Sequence, residues 1–303
     1  MQQFIIFTGR NLKIYLRDKA AVFFSLLSML IVILLMVFFL GDMNVEGVKG
    51  TLENFPGRDA AADAKNAQLL ILSWTCAGIL CINAVTVTLS AYAVMIDDKM
   101  SGKLNSIYTA PVSRSIISCS YIFAAWLASL FVCFATLVIT EIFGCLKGLE
   151  PFSLLTHLKL LGMIMVNSFT FATLMYVIGT LAKTSGAWGG IGTVIGTLVG
   201  FLGGIYIPIG SLSDTIVMFI KCTPIIYGTT MFRKIMVEDI LNKTFQDLPP
   251  EVTTGYNSAM GIDLTIFDHI LSVTEELSIL IAFGMIFLVV GILILKYGKK
   301  TDR

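Results

Sequence analysis

Long apolar runs alternate with short polar stretches along this chain. Runs cover residues 22–40, 69–96, 117–146, 159–182, 187–209 and 277–296, and each reaches the roughly 20 residues that a helix needs to cross a bilayer. The run at 22–40 is too long for the apolar core of a cleaved signal and has no small-x-small site after it. Ahead of it, Ile5, Leu12 and Leu16 share one helical face while Arg10, Lys13 and Arg17 share another. That pattern predicts a helix over residues 1–20 lying in the membrane interface, its cations against anionic headgroups. The same residues also fit an ordinary basic flank that sets topology. Residues 41–68 read as a polar loop. Segment 210–276 is too long for a structureless loop. Its first part is apolar but broken by Lys221, Pro224 and Arg233-Lys234, which predicts a re-entrant or interfacial helical hairpin; the remainder reads as aqueous and acidic. The expected fold is therefore an all-α polytopic membrane protein forming a single domain over 1–303, with six spans and an outer re-entrant segment.

Polar residues inside the runs are few and patterned. Asn83, Thr86 and Ser90 fall on one face of the second run, and Asn167 with Thr170 marks the fourth. Such residues join helices by hydrogen bonds or line a pathway, and one face can do both. Gly192, Gly196, Gly200 and Gly204 recur every four residues in the fifth run, a smooth ridge that lets another backbone approach closely. Glu141 is the one carboxylate within a run, close enough to its end to reach the outer interface.

Composition supports the bilayer as solvent: of 303 residues, 56% are hydrophobic and 14% charged, and mean hydropathy is +0.86. A net charge of +1 provides no basic field for nucleic acid. Six cysteines lack a CxxC or Cys/His cluster, so neither a disulfide framework nor a metal site is implied. Cys145 and Cys222 can both face outward and pair, or stand as small buried thiols. His157 and His269 fall in separate outward segments and read as lone surface residues. With both termini inside, twelve of the 21 Lys and Arg lie on the cytoplasmic side, in the shorter set of segments; the positive-inside rule selects that orientation. No phosphate-binding Gly-x-x-x-x-Gly-Lys-[Ser/Thr] and no hydrolase motif occurs. The chain carries no cofactor signature of its own, is not expected to be an enzyme, and must draw its energy from elsewhere.

The polar island at 97–116 is where an external partner can act. Lys99 to Ala110 predicts a short helix stopped by Pro111, with Asp98 or Ser101 as its N-cap. Ile96, Leu104 and Ile107 offer a small apolar face among charges, suited to a groove of a soluble protein; an ordinary intracellular loop has the same composition.

The stretch Ile96 to Arg114 (IDDKMSGKLNSIYTAPVSR) resembles the segment after the second span of ABC-2 type permeases. There an acidic/basic pair precedes Gly-[Thr/Lys]-Leu and then Pro-[Val/Ile]-Ser-Arg. Gly203 to Pro208, Ser211-Leu212 and Pro224 to Tyr227 are similar to that family's fifth-span exit and re-entrant segment. The resemblance implies a transmembrane subunit of a bacterial ATP-binding-cassette exporter in the cytoplasmic membrane. It implies pairing with a second permease as homodimer or heterodimer, and docking on separately encoded ATPases that hold ATP and Mg. It assigns ATPase coupling to Asp97, Asp98, Lys99, Gly102, Lys103, Leu104, Ile107, Pro111 and Arg114, with the N-terminal helix as a second contact. Pro208, Pro224 and Tyr227 would form the outer gate. Asp97-Asp98 departs from the Glu-Arg of many members, and the segment after Val237 is longer than in compact ones. An apolar pathway favours amphipathic or lipid-like cargo: drug, peptide, lipid or glycan. The alternatives are an immunity or sensing protein that binds a peptide with the same fold, or a channel or carrier independent of an ATPase.

Overall fold

The computed structural model describes residues 1–35, 41–109 and 112–297. Helices α1 (Gln2–Arg17) and α2 (Lys19–Leu35) open the chain, followed by α3 (Gly41–Leu52), α4 (Ala60–Ala91), α5 (Ala93–Met100) and α6 (Lys103–Tyr108). Long helices α7 (Arg114–Lys147), α8 (Leu154–Leu181) and α9 (Ser185–Leu202) come next. Four shorter ones, α10 (Asp214–Lys221), α11 (Pro224–Met236), α12 (Glu238–Thr244) and α13 (Pro250–Met260), lead through strands β1 (Thr265–Ile266) and β2 (His269–Ile270) to α14 (Val273–Tyr297). Among the described residues, five helices are long and apolar enough to cross a membrane. A sixth crossing arises if α10 and α11, bent by 92° at their junction, count as one. Of the expected first span, 22–35 are described; 36–40, Pro111 and the end of the basic tail lie outside the described residues.

Helix boundaries differ from the apolar runs because polar caps extend them. Asp59 accepts from the amides of Ala61 and Ala62, so α4 starts well before Leu69. Ser113, Ser153 and Thr184 likewise accept from Ile116, Thr156 and Ala187 to start α7, α8 and α9; each such cap contributes about 1 kcal/mol. The polar loop expected at 41–68 contains α3, whose Val45, Val48 and Leu52 are buried against the core. The fifth span ends at Leu202 rather than at 209, because Gly204 turns left-handed (φ 60°) and Pro208 leads into a 3-10 turn, Ile209–Ser211. The expected helix over Lys99 to Ala110 is instead two pieces: α5 runs through to Met100, Gly102 adopts φ 73°, and α6 begins at Lys103.

Helix α4 is the axis of the fold and touches α2, α3, α7, α8, α11 and α12. Because lipid tails are as apolar as leucine, helix association inside a bilayer draws on close packing and interhelical hydrogen bonds of about 0.6 kcal/mol each. Both are present. Asn83 donates to Thr136 at 2.7 Å, Ser129 to Ser168 at 2.9 Å, Tyr92 to the Ala172 carbonyl at 2.7 Å and Thr170 to the Leu280 carbonyl at 2.9 Å. Glycines supply the close approaches: a Cβ on Gly291 would sit 2.8 Å from the Tyr176 ring, where α14 crosses α8.

Candidate functional site

The island expected to couple the chain to a partner forms a joint of three elements. Asp98, near the end of α5, is 3% exposed. Arg10 of α1 grips its carboxylate with both terminal nitrogens, Nη2 at 2.8 Å from Oδ1 and Nη1 on Oδ2. Tyr121 of α7 donates to the same carboxylate at 2.7 Å. Arg10 also donates to Asn11 Oδ1 at 2.9 Å, and Asn11 Nδ2 reaches Ser120 Oγ at 3.5 Å. Asp98 thus caps no helix; it is the point where α1, α5 and α7 are tied. A two-pronged guanidinium–carboxylate pair fixes angle as well as distance, and the carboxylate raises the pKa of Arg10 above its already high value, so the cation is permanent.

One residue departs from the expected faces of α1. Lys13 and Arg17 are exposed, but Arg10 turns inward. Thr8, Asn11 and Tyr15 form the buried face, while Ile5, Ile6 and Leu16 point outward. The polar side of the helix packs on protein because it has specific partners there, leaving the apolar side for lipid. Asp97, Lys103 and Arg114 are exposed around the joint, and Lys99 donates to the Ala182 carbonyl just past α8 at 3.0 Å. Leu104 and Ile107 pack partly against the chain's own core, so they are half-used by the fold.

The polar stripe divides. Asn83 is fully buried on Thr136, Thr86 bonds back to the carbonyls of its own helix, and Ser90 lies within reach of the Tyr15 hydroxyl of α1. Asn167 is buried beside Cys81 and Gly228, where a side chain on Gly228 would collide with it. The glycine ridge is not one continuous groove. Gly196 faces open space and Gly192 only meets Leu89, whereas Gly200 receives the ring of Tyr206 and Gly204 makes the exit turn. Pro224 starts α11, and the Tyr227 hydroxyl donates to the Lys221 carbonyl at 2.7 Å across the 92° bend. Cys145 and Cys222 are exposed free thiols.

Beside Trp74 in the first half of α4, about 35 Å from Asp98 by helix rise, stands a fully buried arginine that periodicity did not single out. Arg233 of α11 lies over the Trp74 ring, 4.0 Å from its centroid. It donates to the carbonyls of Gly204 at 2.9 Å, Gly261 at 3.2 Å and Met260 at 3.3 Å. Trp74 Nε1 donates to the Met260 carbonyl as well, at 2.8 Å. Among the described residues no carboxylate pairs with Arg233, and its Nε has no partner. The negative end of α13 stands in for one. Nearby, burial pushes the Tyr256 phenol up. Lys234 bonds Glu276 at 3.0 Å and also the Leu271 carbonyl, while Arg58 pairs with Asp63 and the Thr244 carbonyl. These contacts weld 210–276 into a cap. The histidines are not lone: His157 meets Glu141 at 2.8 Å, tying α7 to α8, and His269 meets Glu275 at 3.1 Å. Among the described residues no three potential metal ligands come together.

Apolar spans packed by buried polar bonds, with a charged joint on one side and a cap on the other, define a multi-pass helical membrane protein. A protein-family model described as ABC-2 type transporter matches residues 2–237. The chain belongs to that family, a family of transport permeases. No curated protein matches it.

Proposed function

We propose that the chain is the permease subunit of an exporter driven by ATP hydrolysis in a separate subunit. In this reading it sits in a bacterial cytoplasmic membrane with both termini inside. The supporting observation is the Arg10–Asp98–Tyr121 joint: a push on the exposed rim of α5 and α6 reaches α7 through Tyr121, α1 through Arg10, and α4 directly, since α4 and α5 form one 41-residue rod. The exposed rim, Asp97, Lys103 and Arg114, is the docking surface for the ATPase, which carries ATP and Mg. ATP binding draws two such joints together, and the long helices tilt between discrete packed states to expose the pathway alternately.

A second permease, identical or not, meets the chain through α9, where Val194, Leu198 and Phe201 are exposed beside the open Gly196. Rearrangement there, together with the capped bend at Pro208, Pro224 and Tyr227, opens the outer side. An apolar pathway suits an amphipathic or lipid-like substrate. The test is co-expression with candidate ATPases and ATP hydrolysis in lipid nanodiscs, comparing wild type with Asp97→Lys/Lys103→Glu. Loss of association and of lipid-supported turnover is expected; a variant that associates and turns over like wild type, or no associating ATPase at all, removes the reading.

A further inference from the structure

The hairpin before α14 carries an unusual tip. Strands β1 and β2 pair Ile266 with His269 and Thr265 with Ile270, leaving Phe267 and Asp268 as a two-residue turn with φ of 48° and 60°. Both central positions are left-handed, a turn that glycine and asparagine build without strain and a bulky aromatic does not. Phe267 is nevertheless there, and it is 99% exposed. A strained residue whose ring contacts nothing in its own chain needs a reason outside the chain.

The surroundings indicate what that is. Lys221, at the end of α10, donates to the Thr265 carbonyl at 2.7 Å, which sets α10 beside the hairpin. On α10, Met218 and Phe219 are 70% and 71% exposed, and Ile216 is exposed with them. The hairpin is also locked to α14: the Ser272 amide and hydroxyl both donate to Glu275, and His269 bonds the same carboxylate. Helix α14 then turns apolar at Leu277, four residues after its start, and its outward Ile281, Met285 and Ile286 face the lipid. Four residues of helix rise about 6 Å, so the start of α14, to which the hairpin is tied, lies within an interfacial layer of about 5–8 Å beyond the hydrocarbon core.

We propose that Phe267, with Met218 and Phe219, is a membrane anchor seated in the headgroup and upper acyl region of the leaflet at the cap end of the protein. The occupant of this patch is lipid, because the hairpin is tied through Glu275 to the first turn of α14, just before that helix turns apolar at Leu277. The anchor pins the cap to the bilayer through α10 and the hairpin. It does not depend on which side of the membrane the cap occupies, nor on an ATPase.

The test uses the full chain in phosphatidylcholine/phosphatidylglycerol nanodiscs. A nitroxide is attached to Phe267→Cys in a background with Cys119, Cys145 and Cys222 changed to Ser, and a Glu251→Cys label serves as the aqueous reference. Collision with oxygen should exceed collision with a water-soluble nickel chelate by several-fold relative to position 251. Equal ratios at the two positions would overturn the anchor, as would dipolar broadening between 267 labels, which would show a second copy covering the patch. Phe267→Trp supplies an independent readout without labelling. Brominated lipid should quench its fluorescence beyond the quenching of wild type, and no added quenching contradicts the proposal.

Discussion

Two arginines fasten this molecule, one at the joint and one in the cap, and they do so differently. Arg10 is paired with a full counter-charge on Asp98 and is itself 31% exposed. Arg233 is enclosed, stacked on Trp74 and satisfied by backbone carbonyls. A carboxylate pair at a half-open site can separate and re-form, since water can solvate both charges when they part. A cation enclosed among carbonyls has no such alternative, because leaving its ring of acceptors orphans the cation and every carbonyl together. The difference separates a contact that solvent can help to open from one that solvent does not reach.

The sharpest way to break this comparison is Arg233→Ala. It should cost about 3–5 kcal/mol of stability, because the buried Gly204 and Gly261 carbonyls lose their Arg233 donor and a cavity opens over Trp74, read as a lowered midpoint in denaturant titration of mixed micelles. Arg233→Met, which keeps volume but not hydrogen bonds, should recover little of that loss if the carbonyls matter and most of it if packing matters. Arg10→Ala should cost less, about 2–3 kcal/mol, because solvent reaches the Asp98 carboxylate once the partly exposed guanidinium is gone. Tyr121→Phe removes one of the donors to Asp98 and should cost about 1–2 kcal/mol in the same titration. Smallest is the effect of salt. Raising ionic strength should narrow the gap between wild type and Arg10→Ala by a few tenths of a kcal/mol (roughly, for a partly exposed pair) and leave the Arg233→Ala gap unchanged.

Much of the fold was legible in the chain because a bilayer demands long apolar helices and the runs are long. The ends were less so. Helix α4 begins at Ala60 through the Asp59 cap, and α3 hides its buried Val45, Val48 and Leu52 among glycines and charges, a sequence that suppresses helix propensity while keeping the spacing of a buried face. At the candidate site, the island was visible as a polar interruption, but its central bond joins residues 88 positions apart. Helical periodicity groups Arg10 with Lys13 and Arg17 and cannot single out the one that turns inward. Gly200 and Gly204 continue the spacing of Gly192 and Gly196 yet serve the exit turn, since repeat spacing holds no information on where a helix stops. For Arg233 there was a usable signal: a cation inside an apolar stretch is rarely idle.

The transmitter role proposed for the joint is tested most directly by a double-mutant cycle on ATP hydrolysis. Arg10→Ala, Asp98→Ala and the double variant are each assembled with the ATPase in nanodiscs and checked for folding by the same denaturant titration. Each single variant is expected to keep the ATPase bound but lose most of the lipid-supported turnover, and the double variant to fall no further than either single one. Well-folded single variants with wild-type turnover, or losses that simply add, would contradict a joint that works as one unit.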